Sequence, residues 1–380
     1  MTLFNAQNVC FFIAEMTGFG GTERAACSVA NGIVDMCGVD GVHMLALMGD
    51  TTSRFHLDPY INRAALFPKR SPMTAKYLIA IARLRRYVRQ HRIHTIIVVE
   101  STLCLFAIPA MLQLGVRVVC WEHFNFGMNA GRRKRTVARH LAALLADDVV
   151  TLTERDMDAW RKKTAALARL HAISNPVNSR PIDFHYDVGS QTVLAVGRLV
   201  KQKGFDLLLH AWAEVKRVST SEMWHLTIVG DGEERASLLD QIVALGLSQS
   251  VSLHAATESI HDYYRTAAVV CCSSRREGLP MVLIEASQSG IPIVAFDCQT
   301  GPREIVDDGV SGLLVPDGDI AALAAALVAV MSDEQARVSF SAGAKTAALR
   351  FSREHVLVKW MAMLNGNRAT ASRSATGEHR

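Results

Sequence analysis

The sequence predicts an α/β protein made of two doubly wound, parallel-sheet domains. Short apolar strands alternate with helical segments in both halves of the chain, which is typical of parallel sheets covered by helices. The 380 residues suffice for two domains of common size, each with its own core. A stretch dense in turn residues, at 174–181, separates the two alternating series.

The first series predicts a domain over residues 1–178. Its apolar runs are expected to be strands at residues 9–14, 42–48, 95–99, 116–121 and 148–152. Segments with helical periodicity lie between these runs, at residues 22–37, 74–91, 103–114 and 132–146.

The second series predicts a domain over residues 179–351. Strands are expected at residues 192–197, 226–230, 251–253, 267–272, 291–295 and 312–315. Helices are expected at residues 281–290, 321–331 and 333–349. An amphipathic segment, 352–365, is expected to pack back on the first domain, and the polar tail, 366–380, is expected to be disordered.

The composition, 49% hydrophobic and 20% charged, is ordinary for a globular protein. No apolar run reaches the length of about 18 residues that a transmembrane helix needs. The start of the chain lacks the basic and apolar regions of a signal peptide. Its eight cysteines form no Cys-x-x-Cys pair, so we expect buried thiols in a reducing cytoplasm and no zinc site.

Charge is unevenly distributed along the chain. Residues 1–180 hold 23 lysines and arginines against 13 acids, whereas the remainder holds 18 against 23. The basic half contains two clusters: Arg83, Arg85, Arg86 and Arg89; and Arg132, Arg133, Lys134 and Arg135. Each such cation near an anionic lipid surface contributes about 1 kcal/mol. A solvated helix face explains each cluster equally well, and no recognition motif for nucleic acid accompanies them.

The stretch from residue 273 to 285 predicts an anion site followed by sugar contacts. The apolar run before it reads as a buried strand, and Pro280 suits the first turn of a helix. The N–H groups of Met281 and Val282 would then face a phosphate at that helix start. Acids repel phosphate, so we assign Glu277 and Glu285, which flank Gly278-Leu279-Pro280, to sugar hydroxyls.

Three other strand ends carry residues suited to ligands, as expected for open α/β sheets. Gly20 and Gly21 form a turn before the first helix, where backbone can approach a ligand. Arg198 and Lys203 precede a helix and can hold a diphosphate, with Lys201 as a competitor. Gly230 and Asp231 form a tight turn on which a base ring can rest. Arg235 takes the place of the third glycine there, which argues against a nicotinamide site.

A fourth strand end lies in the first half, at Cys120-Trp-Glu-His-Phe-Asn125. It would place Glu122, His123 and Asn125 toward a ligand at the carboxyl edge of the sheet. A histidine in such a position is as consistent with a structural role as with a functional one.

These motifs together resemble the retaining glycosyltransferases of family 4, whose two Rossmann-like domains face a central cleft in the GT-B arrangement. The resemblance covers residues 11–364 and is densest over 195–204, 228–238 and 272–317. It depends on Gly-Gly-x-Glu-Arg, Val-Gly-Arg-Leu-x-x-x-Lys-Gly, Gly-Asp-Gly, and two glutamates separated by seven residues around Gly-Leu-Pro. The form Thr-Gly-Pro-Arg-Glu-Ile at residues 300–305 resembles bacterial transferases that build surface polysaccharides. Cys298-Gln299 departs from the proline common in relatives.

The resemblance implies a role for each motif. Arg198 and Lys203 would neutralise the donor diphosphate. Glu285 would bind the ribose and Glu277 the transferred sugar. The Gly20-Gly21 loop would close over the phosphates, with less certain roles for Glu23 and Arg24, and His123 would touch the sugar near the reacting carbon.

The implied reaction transfers a hexosyl group from a nucleotide-diphosphate sugar, UDP-linked in preference and GDP-mannose second. No metal or cofactor is expected. The acceptor, expected on the basic first domain, would be a glycan or a polyprenyl-diphosphate-linked saccharide at the inner face of the cytoplasmic membrane. Glu122, Asn125, Arg83, Arg86, Arg132, Arg133 and Lys134 are its candidate contacts. Two alternatives are an epimerase of the same architecture and a basic module that binds membrane or nucleic acid.

Overall fold

The computed structural model describes residues 8–18, 20–37, 41–69, 76–127, 133–177, 186–218, 223–257 and 259–366. The chain divides into two compact units, Met1–Asn178 with Arg353–Arg380, and Ser179–Ser352. The predicted tail after Gly366, Arg132 and residues 178–181 of the predicted link lie outside the described residues.

The first unit is built on a parallel sheet. Its described strands are β1 Val9–Ile13, β2 Val42–Met48, β3 Asn62–Phe67, β4 Thr95–Val99, β5 Arg117–Trp121, β6 Asp148–Thr151 and β7 Arg169–Ala172. They lie in the order β3-β2-β1-β4-β5-β6-β7. The order reverses between β1 and β4, as in doubly wound sheets, and the loops after β1 and β5 carry predicted site residues.

Helices cover this sheet. They are α1 Gly21–Cys37, α2 Tyr77–Gln90, α3 Cys104–Met111, α4 Arg133–Leu145, α5 Glu154–Lys163 and, from the carboxyl-terminal part of the chain, α13 Arg353–Asn365. Apolar residues from β1, β4, α2, α3 and α4 share one core. Trp121 and Trp360 are fully buried and meet edge to face, with ring centroids 4.7 Å apart, so α13 is part of the first unit's interior.

The second unit repeats the doubly wound order. Its strands are β8 Thr192–Val196, β9 His225–Val229, β10 Val251–His254, β11 Val269–Cys272, β12 Ile293–Asp297 and β13 Gly312–Pro316, ordered β10-β9-β8-β11-β12-β13. Its helices are α6 Phe205–Val218, α7 Arg235–Ala244, α8 Ile260–Arg265, α9 Met281–Gln288, α10 Pro302–Ile305, α11 Ile320–Ser332 and α12 Glu334–Ala348. The buried side chains of α6 and α11 pack against this sheet.

The prediction of two Rossmann-like α/β sheets is confirmed, whereas no range was predicted for helices α5, α6, α7, α8 and α10 or for strands β3 and β7. Strands β3 and β7 were not predicted because polar residues interrupt them and both lie at sheet edges. Helix α5 was missed because it is mostly charged, with only Asp156 and Trp160 buried. In each of these three cases few buried apolar residues mark the element, so apolar residues alone do not reveal it in the sequence.

Candidate functional site

The loop from β11 to α9 ends in an open helix start. Pro280 is extended, with φ −73° and ψ 99°, and Met281 begins the helix. Among the described residues, the N–H groups of Met281 and Val282 donate to no acceptor, whereas Leu283 N–H donates to Pro280 O at 3.0 Å. A helix start of this kind attracts anions, because its N–H groups and the helix dipole carry partial positive charge.

Glu277 lies beside this helix start in a charged pair with Lys203. The Lys203 ammonium donates to Glu277 Oε1 at 2.6 Å, and the two side chains are 17% and 8% exposed. Burial disfavours the charged lysine, but the adjacent carboxylate outweighs it, so the pKa of Lys203 is raised. Lys203 therefore stays cationic while it fixes the carboxylate.

The two candidate lysines have different partners. Lys201 is largely exposed and pairs with Asp206 at 2.9 Å, whereas Lys203 pairs with Glu277. Arg275 also donates to Asp206, at 2.7 and 2.8 Å, and to the carbonyl of Lys201. These contacts tie the loop after β8 to the loop after β11, so that Lys203 and Glu277 meet.

Two glycines let these loops approach closely. Gly204 has φ +66°, and a Cβ there would lie 2.0 Å from the carbonyl oxygen of Ser273. Gly301 has φ +102°, and its Cβ would lie 2.6 Å from Pro280 Cδ. Thr300 Oγ1 donates to the Glu277 carbonyl at 2.5 Å, so the loop after β12 supports the Gly-Leu-Pro turn.

Arg198 and Glu285 complete the predicted set in this unit. The Arg198 side chain is exposed. Its positive charge opposes part of the rise in the pKa of Lys203 that Glu277 causes. Glu285, on α9, is 8% exposed, and its Oε2 accepts a 3.0 Å hydrogen bond from Tyr264, a fully buried residue of α8. Sequence reasoning missed Tyr264, because its neighbours His261, Asp262 and Arg265 are polar and give no sign that it is buried.

The turn after β9 is shaped by packing. A Cβ at Gly230 would lie 1.9 Å from the carbonyl oxygen of Gly197, so the two loops touch through backbone. Asp231 is exposed, and its Oδ2 accepts from Ala256 N at 2.9 Å. Backbone packing at Gly230 and the Asp231 hydrogen bond account for this turn without a ligand. The contact between the turn and a nucleotide base stays a prediction.

In the first unit, Gly20 precedes α1, which begins at Gly21. The Glu23 carboxylate folds over this turn: a Cβ at Gly20 would lie 2.4 Å from Glu23 Oε2. An acid in the first turn stabilises a helix through its dipole. The phosphate contact predicted for this loop therefore requires Glu23 to move aside.

His123 is 8% exposed and lies over Trp121, with ring centroids 4.5 Å apart. Its Nε2 is buried without a hydrogen-bond partner among the described residues. Burial lowers the pKa of His123 to about 3, so the ring is neutral near pH 7. A buried nitrogen with no partner is uncommon in folded proteins and marks this ring as a candidate ligand contact.

Glu122 and Asn125 are buried and make internal contacts in this fold, and their contact with an acceptor stays a prediction. Glu122 is fully buried; it accepts from Arg139 at 2.8 Å and from Ser101 at 2.6 Å. Asn125 is 5% exposed, and its Oδ1 accepts from Gly127 N at 2.6 Å. These contacts hold the loop that presents His123. The signal that sequence reasoning missed was Arg139, an arginine on the buried face of α4.

The basic clusters divide into structural and outward-facing cations. Arg85 donates to the last carbonyls around α3, Arg83 donates to Leu66 O, and buried Arg135 pairs with Glu100 at 2.9 Å. Arg86, Arg89, Arg133 and Lys134 are exposed. Helices α2 and α4 also expose large apolar side chains: Leu78, Ile79, Val137, Leu144 and Leu145. These residues, together with Arg83, which is also exposed, are available to a surface partner in the described part of the two clusters.

In the described part of the chain, no group of three His, Cys, Asp or Glu side chains is arranged to hold a metal ion. The described helices include none with the length and apolarity to cross a bilayer. All seven cysteines with described side chains are buried and unpaired.

Comparison with known proteins covers both units. The family described as Glycosyltransferase Family 4 matches residues 19–180, and the family described as Glycosyl transferases group 1 matches residues 184–347. An uncharacterized glycosyltransferase of Haemophilus influenzae is 30% identical over 358 residues, covering 94% of this chain and 100% of that protein.

Further relatives are similar over most of their length. The amylovoran biosynthesis glycosyltransferase AmsD of Erwinia amylovora is 32% identical over 314 residues, covering 81% of this chain and 87% of that protein. A Campylobacter jejuni N-acetylgalactosaminyltransferase, named for an acceptor on PP-undecaprenol, is 25% identical over 370 residues, 94% of this chain and 98% of the relative. The fold matches Anabaena HepE, solved with UDP, with a TM-score of 0.77, 19% identity, and coverage of 95% and 100%.

Proposed function

The chain belongs to the GT-B glycosyltransferases, with a family 4 amino-terminal half and a group 1 carboxyl-terminal half, and we propose that it is a retaining hexosyltransferase. It would move a hexosyl group from a nucleotide-diphosphate sugar to a saccharide acceptor in bacterial surface polysaccharide synthesis. The observation that carries this proposal is the Lys203–Glu277 pair beside the open start of α9.

The proposed chemistry stabilises a leaving diphosphate. As the glycosidic bond to the donor breaks, negative charge grows on the diphosphate oxygens. Lys203, Arg198 and the N–H groups at the start of α9 stabilise that charge most where it is largest, which is in the transition state. Because fixed cations and N–H donors supply this stabilisation, the proposal requires neither a metal nor a cofactor.

Retention follows from where the acceptor attacks. The acceptor hydroxyl attacks the anomeric carbon from the leaving-group face, the bond to the diphosphate breaks, and a diphosphate oxygen takes the hydroxyl proton. Glu277 contacts the hydroxyls of the transferred sugar and Glu285 those of the ribose. Neutral His123 contacts the sugar as an orienting group, since its pKa of about 3 makes it a weak base.

We propose UDP-linked sugars as donors, with GDP-mannose second. The presence of UDP in the HepE structure supports the first choice. A thermal-shift panel of UDP, GDP and ADP sugars tests it, because a ligand that binds the native state raises the unfolding temperature by mass action. Stabilisation by GDP-mannose alone would contradict the UDP assignment.

We propose an acceptor saccharide on a polyprenyl diphosphate, and a cytoplasmic enzyme bound peripherally to the inner face of the membrane. The name of the Campylobacter relative supports a lipid-linked acceptor. The exposed cations and apolar side chains of α2 and α4 support contact with an anionic lipid surface.

Glu277→Gln tests the enzymatic role with the donor found in that panel. We expect product formation to fall by roughly 100-fold or more, since a fixed contact to the reacting sugar is lost. Incubation with donor alone is the control: a transferase leaves the sugar unchanged without an acceptor, whereas epimerised donor would identify the chain as an epimerase. A fully active Glu277→Gln would contradict the assigned site.

A further inference from the structure

We propose that Ser274 and Tyr264 are positioning residues, each of which fixes one oxygen of a donor-binding acid. Ser274 lies in the stretch 273–285 and Tyr264 lies outside it, and the sequence analysis assigned a role to neither side chain. The proposal rests on the proposed function, because it takes Glu277 as the contact to the transferred sugar and Glu285 as the contact to the ribose.

Ser274 orients Glu277. The Ser274 hydroxyl donates to Glu277 Oε1 at 2.6 Å, the same oxygen that Lys203 binds at 2.6 Å. Two donors on one oxygen fix the carboxylate plane. The other oxygen, Oε2, makes no hydrogen bond with the described residues, so it is available to sugar hydroxyls. Ser274 is 2% exposed, and its only further hydroxyl contact in the described chain is Cys272 Sγ at 3.6 Å.

Tyr264 orients Glu285. Tyr264 is fully buried, and its hydroxyl donates to Glu285 Oε2 at 3.0 Å, with Val282 O at 3.4 Å. Hydrogen bonds to a carboxylate are stronger than neutral ones, and here the donor is held by packing. The bond therefore turns Glu285 before the ligand arrives.

The two residues should affect different kinetic constants. Glu277 lies near the reacting carbon in the proposed complex, so its orientation matters most in the transition state. Glu285 holds the ribose, which does not change during the reaction, so its contact is equal in the ground and transition states. Loss of a transition-state contact lowers kcat, whereas loss of uniform binding raises KM.

Ser274→Ala and Tyr264→Phe remove one hydroxyl each. We expect Ser274→Ala to lower kcat about 10-fold with little change in the donor KM. We expect Tyr264→Phe to raise the donor KM about 10-fold with little change in kcat. Each size is what the loss of one hydrogen bond to a charged group predicts. Steady-state kinetics of the full chain with donor varied at saturating acceptor measures both.

The chain offers matched controls. Ser287 is a buried serine of α9 whose hydroxyl has no partner in the described residues, and the Tyr186 hydroxyl donates to the carbonyl of Ala268. Ser287→Ala and Tyr186→Phe also remove one hydroxyl each, but neither hydroxyl is hydrogen-bonded to Glu277 or Glu285. Both variants should therefore keep kcat and KM within about twofold of the parent values. Circular dichroism and thermal melting of all four variants confirm that the fold is retained.

Two results would overturn the proposal. One is parent-like kcat and KM in both Ser274→Ala and Tyr264→Phe while Glu277→Gln and Glu285→Gln are inactive. The other is a parallel change of kcat and KM in both variants that scales with their unfolding temperatures, as a purely structural role would give. If Glu277→Gln and Glu285→Gln are themselves active, the proposed function fails instead.

Discussion

Several charged side chains in this protein are buried. The effect of replacing one of them on the free energy of unfolding depends on whether its partner keeps a buried charge. Lys203 and Glu277 are both mostly buried and are joined at 2.6 Å. Removing one partner of such a pair leaves a buried charge without compensation, whereas removing both does not.

We therefore expect Lys203→Met to reduce the free energy of unfolding by about 3–5 kcal/mol. The double variant Lys203→Met/Glu277→Gln should recover much of that loss yet stay inactive. Urea unfolding of the two single variants and the double variant measures the coupling. Strictly additive losses would contradict a direct interaction between the two side chains.

The single side chain of Asp156 should make the free energy of unfolding depend on pH. It accepts from Phe126 N at 2.6 Å in the loop that presents His123, and burial raises its pKa to about 7, with the nearby Glu122 charge adding to the effect. An unfolded aspartate has a pKa of about 4. Between these values the folded chain holds a proton that the unfolded chain has released, so the free energy of unfolding falls as pH rises.

Asp156→Asn should remove this contribution, because the amide oxygen still accepts from Phe126 and no longer titrates. We expect the difference in stability between variant and parent to grow in the variant's favour from about pH 4 to 7. Urea unfolding across this range measures it. Asp158→Asn, an exposed change on the same helix, is the control and should follow the parent at every pH.

Helix α13 packs against strands and helices that lie far from it in sequence. Arg117, on β5, donates to the carbonyls of Leu364 at 2.8 Å and Met363 at 3.0 Å. Gly32, on α1, leaves room for Leu357: a Cβ there would lie 2.3 Å from both of its terminal methyl carbons. The helix thus packs through backbone contacts and small residues as well as through Trp360.

Trp360→Ala should cost about 3–5 kcal/mol of stability, because it opens a cavity beside Trp121. Thermal unfolding of the full chain is the measurement. Val358→Ala, at a position of α13 that is 58% exposed, should shift the midpoint little. Equal effects of the two substitutions would show that α13 is not packed as described.

At the scale of the whole molecule, cationic charge is concentrated in one half of the chain, with 23 lysines and arginines against 13 acids in residues 1–180. The structure separates cations that hold the fold from those that face outward on α2 and α4. The charge that acts on a surface partner is therefore smaller than the sequence suggests.

Replacing Arg86, Arg89, Arg133 and Lys134 with glutamate should weaken binding to vesicles that contain anionic lipid. Each lost cation contributes about 1 kcal/mol, and the loss should shrink as salt rises. Vesicle sedimentation at two salt concentrations measures this, with Lys216→Glu on the second unit as control. Unchanged binding would contradict the assigned face.

The sequence determined the strands at the centre of both sheets, because these are continuous apolar runs. It also located Arg198, Lys203 and Glu277 in loops that follow strands, and Glu285 on the next helix. The edge strands β3 and β7 and the charged helix α5 were not predicted, because few buried apolar residues mark them. The basic clusters were visible in the sequence, but not which of their members are buried.

Side-chain partners were decided by tertiary structure alone. Lys203 rather than Lys201 meets Glu277 because contacts between loops 74 residues apart fix which lysine turns inward. Glu122 is interior and receives Arg139 from α4, and Tyr264 of α8 donates to Glu285 of α9. A linear pattern records which residues are apolar or charged; which of them touch depends on how distant segments pack, and that is fixed only when the chain folds.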